Sequence, residues 1–171
     1  MKYVSTRDNS KEYNFEQVFI KGLADDGGLY VPMSLKKYSP QELHELKKLN
    51  YNELSTEIIN LFSSDFISKK ELSTLIKKSY STFREKEVVK LSNVGEIKLL
   101  ELFHGPTLAF KDVAMQFIGN LYEYYLSKNN KKINIVVATS GDTGAAAIDA
   151  IKGKSNLNIF ILHPNNRISS V

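Results

Sequence analysis

The chain has no cysteine among its 171 residues, which removes disulfides, cysteine nucleophiles and thiolate metal sites from consideration. No apolar run approaches the length of a membrane span, and the first residues, MKYVSTRDNS, lack the apolar core of a secretion signal. A cytoplasmic location with no membrane partner is therefore expected. No internal repeat or low-complexity tract is present. The three histidines, His44, His104 and His163, include no pair at metal-ligand spacing, so no metal site is expected. Two nucleotide signatures are missing as well: no glycine-rich loop ends in Gly-Lys-Ser/Thr, and there is no dinucleotide fingerprint.

What is present suits a soluble globular chain. A 42% hydrophobic and 25% charged content can build one domain or two small ones at this length. The 23 basic and 19 acidic residues leave a net charge of +4, too dispersed to predict nucleic-acid binding. The lysines sit in stretches such as KKELSTLIKKSY, where paired lysines mark a solvated helix face.

Asn14 and Gln17 in NFEQVFIKGL fit a capping box, with Phe15, Val18, Phe19 and Leu23 on one helical face, and Asp25-Asp26-Gly27-Gly28 as the stop. Leu29 to Val31 reads as a short strand ending at Pro32. Ser39, Pro40 and Glu42 open a second helix that runs to about Leu49. A third spans roughly Asn52 to Ser63 with Leu54, Ile58, Leu61 and Phe62 inward, and a fourth, capped by Ser68 and Glu71, buries Leu72, Leu75, Ile76 and Tyr80. From about Glu87 short β-type runs alternate with helices. VVKLS and IKLLELF (Ile97 to Phe103) are strand candidates, followed by a helix from Val113 to Leu126, a strand INIVVAT (Ile133 to Thr139), a helix from Thr143 to Ile151 and a strand LNIFILH. That alternation predicts a parallel α/β sheet, and the nearly all-apolar INIVVAT and NIFILH predict strands covered on both faces. The expected organisation is a mostly helical module over residues 1–88 and the start of an α/β domain over 89–171, with the boundary between about Phe83 and Val94.

The chemistry concentrates in ELFHGPTLAFKD, Glu101 to Asp112. A strand leads into the Gly105-Pro106 turn, and Lys111 follows the apolar Leu108, Ala109 and Phe110 just before a helical pattern. A lysine amine attacks a carbonyl only when unprotonated, and with a reference pKa near ~10.4 it needs burial or a neighbouring charge to become so. On chemistry alone the simpler reading of Lys111 is a solvated lysine at a helix start, since most lysines are exposed. A second feature is Ser140-Gly141-Asp142-Thr143-Gly144, between INIVVAT and the helix AAAIDAI. A loop from the end of a strand to the N-terminus of a helix aims free backbone N–H groups at one point, where the helix dipole favours an anion. Asp142 or Thr143 serving only as a helix cap is the alternative.

Three strings resemble segments of the threonine synthase family, pyridoxal-phosphate (PLP) enzymes of fold-type II, and stand in the family's order: ADDGGLYVP (Ala24 to Pro32), ELFHGPTLAFKD, and ATSGDTGAAA (Ala138 to Ala147). The likeness runs from MKYVSTR to HPNNRISSV and covers only the N-terminal part of the family's length. It implies a mostly helical N-terminal module followed by the first part of a tryptophan-synthase-β-like, three-layer α/β/α domain, incomplete here. It also implies that Lys111 holds PLP as a Schiff base and, once released, moves protons at the substrate's α, β and γ carbons. Phe110 and Asp142 would then lie by the cofactor, and Ser140, Gly141, Asp142, Thr143 and Gly144 would hold the substrate's α-carboxylate. The reaction implied is conversion of O-phospho-L-homoserine and water to L-threonine and phosphate, by a carbon–oxygen lyase of threonine biosynthesis. One departure concerns Asp142: many fold-type II enzymes place Asn there to donate to the cofactor's phenolic oxygen, and a carboxylate donates only when protonated. His104, in the turn before Lys111, is a further candidate for direct function, and Asp112 is expected to serve the helix N-terminus.

The resemblance further implies that a glycine-rich cradle for the PLP phosphate and a partner for the pyridine nitrogen lie outside these residues. The chain is accordingly expected to be a fragment of a much longer protein, to bind PLP weakly and to be inactive alone. Two other functions fit the same residues: a threonine-synthase-like phospho-lyase using PLP on another γ-phosphorylated substrate, and a non-catalytic module whose loop holds phosphate or a partner's carboxylate.

Overall fold

A computed structural model describes residues 1–165, so the last six residues of HPNNRISSV lie outside the described part. The chain forms two compact units that divide between Thr74 and Leu75.

The first unit contains β1 (Tyr3–Ser5), α1 (Phe15–Lys21), β2 (Tyr30–Pro32), α2 (Pro40–Leu46), α3 (Tyr51–Ser63) and the first half of α4 (Lys69–Tyr80). Polar side chains set where its helices begin. Capping boxes at Asn14/Gln17, Ser39/Glu42 and Asn50/Glu53 each satisfy two backbone amides that would otherwise lack a partner. The Asn50 box starts α3 at Tyr51, one residue ahead of the expected position, and Ser68 with Glu71 opens α4 in the same way. Two helix ends fall earlier than predicted. Helix α1 stops at Lys21 because Gly22 adopts a φ of +74°, which turns the chain before the Asp25–Gly28 run is reached. Leu23 therefore leaves the helical face; it is exposed and bridges to Leu29. Helix α2 stops at Leu46 rather than Leu49, since the amides of Lys48 and Leu49 bond only three residues back, to Glu45 and Leu46.

Strands β1 and β2 pair antiparallel, Tyr3 opposite Pro32. The ADDGGLYVP run is folded against β1 by Asp26, whose Oδ1 accepts from Ser5 Oγ and from the Gly28 amide, both at 2.8 Å. Gly28 has no room for a side chain, because a Cβ there would lie 2.2 Å from Ser5 Oγ. The core of this unit is largely aromatic. The rings of Tyr3, Phe15, Phe19 and Phe66 lie 5.4 to 6.3 Å from their neighbours, beside buried Ile67 and Leu72. Leu54, Ile58, Leu61 and Phe62 are half-buried.

The second unit holds the rest of α4, then β3 (Lys90–Val94), β4 (Ile97–Glu101), α5 (Asp112–Lys128), β5 (Ile133–Ala138), α6 (Asp142–Ile151) and β6 (Leu157–Leu162). The expected parallel arrangement does not extend to β3 and β4. They form an antiparallel hairpin, Lys90 opposite Glu101 and Val94 opposite Ile97, because only Gly95 and Glu96 separate them and so short a link can join only antiparallel neighbours. The parallel pair is β5 with β6, in register from Ile133/Leu157 to Ala138/Leu162, with α6 as the crossover. Its burial alternates instead of being complete: Ile133, Ile135 and Val137 are half-buried while Val136, Phe160 and Leu162 are exposed. One face of the pair is covered, and among the described residues nothing covers the other. The core comprises Ile76, Val88, Leu121, Leu126, Ala146 and Ala147. Among the described residues no helix is long and apolar enough to cross a membrane.

The capping box of α2 carries a pH signature. Lys36, hydrogen-bonded to Glu42, holds that carboxyl down to about 2 from its ordinary 4.5, with help from the Ser39 amide and hydroxyl. A carboxyl whose value is lowered on folding adds stability above its ordinary value, and this is lost as pH falls through the lowered one. Thermal midpoints measured from pH 5 down to 2 should fall less steeply for Glu42→Gln than for the parent chain.

Candidate active site

The approach to Lys111 is built around a buried carboxylate. Asp112, the first residue of α5, is fully buried, and it accepts hydrogen bonds from the Thr107 amide (2.8 Å) and the Thr107 hydroxyl (2.7 Å). Gly105 lies so close to this carboxylate that a Cβ would approach it to 2.4 Å. Leu108 takes a φ of +64°, a left-handed conformation uncommon for a leucine, at the bend between the turn and the helix. Asp112 thus does more than complement the helix dipole: it ties the Gly105–Thr107 turn to α5 and fixes the backbone next to Lys111. Thr107 is a site residue that sequence reasoning missed; its only signal was a hydroxyl five positions before an aspartate.

Lys111 occupies the N-cap of α5 with its side chain 25% exposed. Its Nζ lies 3.1 and 3.0 Å from the two carboxylate oxygens of Asp142. The same ammonium sits 4.5 Å from the centre of the Phe110 ring. Phe110 is itself exposed. The Asp142 carboxyl is held below its usual range, chiefly by the Lys111 hydrogen bond and, less, by the amides of Thr143 and Asp142. It is therefore ionised at neutral pH and accepts rather than donates.

Asp142 is the first residue of α6, and Ser140 and Gly141 precede it in an exposed loop. Thr143 is half-buried and Gly144 buried, where a Cβ would lie 2.5 Å from the Thr139 methyl. The Thr139 hydroxyl accepts the Gly141 amide at 3.3 Å, which shapes the loop from within; Thr139 was not singled out in the sequence. An open cleft of about 580 Å³ lies along this loop, lined by Thr107, Thr139, Ser140, Asp142, Ile161 and His163 among others. The lysine of one motif and the anion loop of another therefore meet, although 31 positions apart in sequence.

His104 is placed differently. It is 9% exposed, and its Nε2 pairs with Glu101 at 2.9 Å, while Ser92 donates to the other oxygen of Glu101. Those contacts, with Ser92 the larger, keep the Glu101 carboxyl below its usual range. The His104 backbone carbonyl accepts from the Arg84 amide at 2.8 Å. The Glu101 contact joins His104 to the β3–β4 hairpin, and the Arg84 contact joins it to the segment before β3.

Replacing Asp112 with alanine leaves the Thr107 amide without its partner and removes a hydrogen-bonded buried charge. The expected loss is about 3 kcal/mol of unfolding free energy, read by urea denaturation.

Comparison with known proteins bears on what this site belongs to. A family model described as threonine synthase N terminus matches residues 2–80. The chain is 45% identical to a threonine synthase of Saccharomyces cerevisiae over 99% of its own length and 36% of that relative's. It is 40% identical to threonine synthase-like 2 of Pongo abelii, again over 36% of the relative. A crystal structure of PLP-bound threonine synthase from Brucella melitensis superposes with a TM-score of 0.93 at 41% identity, covering 99% of this chain and 37% of that one. In fold and sequence the chain resembles the N-terminal part of threonine synthases along almost its entire length, and it spans little more than a third of these relatives.

Proposed function

We propose that this chain is the portion of a threonine synthase that carries the reacting lysine and the substrate-carboxylate loop. The whole enzyme would convert O-phospho-L-homoserine and water to L-threonine and phosphate in the cytoplasm, using PLP. The observation that supports this best is the 3.0 Å contact between Lys111 Nζ and Asp142, which brings both motifs to one point beside an open cleft.

The residues fit PLP by the chemistry of their donors. A partly exposed amine stands next to an aromatic ring, and the first backbone amides of α6 lie beside the carboxylate with which the amine pairs. When bound, PLP supplies a conjugated ring that takes up electron density from the substrate. Lys111 would hold the cofactor and, once free of it, would take and return protons at the substrate's α, β and γ carbons in the overall loss of phosphate from the γ carbon and addition of water at the β carbon. Ser140, Gly141, Thr143 and Gly144 orient the substrate through its α-carboxylate, seated at the α6 N-terminus. Phe110 flanks the lysine and limits where its amine can swing. Asp142, ionised, accepts from the Lys111 ammonium and keeps it aimed at the loop.

The relatives named threonine synthase-like 2 favour a second reading, a phospho-lyase acting on another γ-phosphorylated substrate at the same lysine. The two diverge in their product. A full-length family member carrying this chain as its N-terminal part should release phosphate and form threonine from O-phospho-L-homoserine; phosphate release without threonine favours the second reading. On the chain itself, incubation with PLP and reduction by borohydride should fix the pyridoxyl group on Lys111, and Lys111→Ala should abolish that adduct. Labelling spread evenly over the surface lysines would sink the assignment of Lys111.

A further inference from the structure

Helices α5 and α6 run side by side in the same direction, and their contacts fall in matching order. Lys111 meets Asp142, Gln116 meets Asp149, Gly119 abuts Ala150, and Asn120 meets Lys154. Glu123 then meets Asn156; Lys154 and Asn156 both lie just beyond α6. On α5 the residues at 116, 119, 120 and 123 are spaced by three and four, so they form one stripe.

We propose that Gln116 and Asp149 are positioning residues for the Lys111–Asp142 pair, fixing the register of α5 against α6 so that the amine meets the loop. The Gln116 carboxamide donates to Asp149 Oδ2 at 2.6 Å, and Gln116 is buried. Among these contacts it is the polar pair nearest the site. The rest of the interface is poorly suited to setting register. Ala146, Ala147 and Ala150 are small and buried, and methyl groups can slide past one another at little cost, whereas a buried carboxamide that loses its acceptor cannot. A slip of one helical turn is ~5.4 Å, enough to break a 3.0 Å amine–carboxylate contact. Gly119 keeps the helices close enough for the polar pair to form, since a Cβ there would lie 2.6 Å from the Ala150 carbonyl oxygen. Further along, Asn120 is held between the Ser79 hydroxyl and the Lys154 ammonium, and Glu123 at the end of the stripe accepts from Asn156.

The catalytic relevance of this device rests on Lys111 being the reacting amine, but its test needs no cofactor. A carbodiimide joins a contacting amine and carboxylate into an amide with loss of one water, and peptide mass spectrometry reads the yield between Lys111 and Asp142. In the whole chain, Gln116→Ala and Asp149→Ala should each lower that yield at least about tenfold, since an amine and a carboxylate displaced by a helical turn no longer touch. The Asp142 carboxyl should also titrate closer to an ordinary aspartate. Asp149→Asn, whose side-chain oxygen still accepts from Gln116, should cross-link like the parent chain. Undiminished cross-linking in both alanine variants, whatever their thermal stability, overturns the proposal, as does an equal loss in Asp149→Asn. If Gln116→Ala fails to fold, Asp149→Ala, altered at a half-buried position, decides alone. Failure of pyridoxyl labelling at Lys111 with cross-linking as described would remove the catalytic reading and leave the register device standing.

Discussion

The Asp112 carboxylate, fully buried at the first turn of α5, is the contact on which the rest of the site depends. A buried charge is tolerated only where hydrogen bonds replace its lost water, and the Thr107 amide and hydroxyl supply them. Satisfying that one carboxylate fixes the turn, requires glycine at position 105, and holds Leu108 in a left-handed conformation. Lys111 is then delivered at the start of α5 by backbone that has little freedom to move. Its amine can be directed by Asp142 because its Cα is already fixed.

Two levels of polar organisation act in series. Asp112 sets Lys111 within its own segment, and the α5–α6 contacts carry that setting across to the loop formed by residues 140–144. The second unit thereby converts two motifs separated by a helix and a strand into one site. Charge is placed economically there: the Asp142 carboxylate and the Lys111 ammonium answer each other, with Phe110 beneath the ammonium. The Glu101–His104 pair stands one step back, on the hairpin that feeds the turn, and links β4 to the residues that follow it.

Helix starts were legible in the sequence because they are written in short-range chemistry. Asn14/Gln17 and Ser39/Glu42 are pairs three apart, and their hydrogen bonds form without help from distant residues. Helix ends were less legible. Gly22 closes α1 through a φ that only the assembled chain reveals, and the tightening after Leu46 leaves no mark in composition. The β3–β4 hairpin was misread as part of a parallel sheet because strand periodicity carries no direction; the information lay in the two-residue Gly95-Glu96 link. In the site, Lys111 and the 140–144 loop stood out by motif, whereas Thr107, Thr139, Gln116 and Asp149 did not. Each of these acts through a partner that becomes visible only once the fold has brought it near.

The open face of the β5–β6 pair has a further consequence. Val136, Phe160 and Leu162 stand exposed on a two-stranded parallel sheet whose outer edges, among the described residues, are unpaired. Such a surface offers both a hydrogen-bonding template and an apolar plane to any extended segment that arrives, and parallel sheets are otherwise found covered on both sides. That surface adjoins residues 139–144, which follow β5 directly, so a segment pairing along β5 would also border the loop that Lys111 meets.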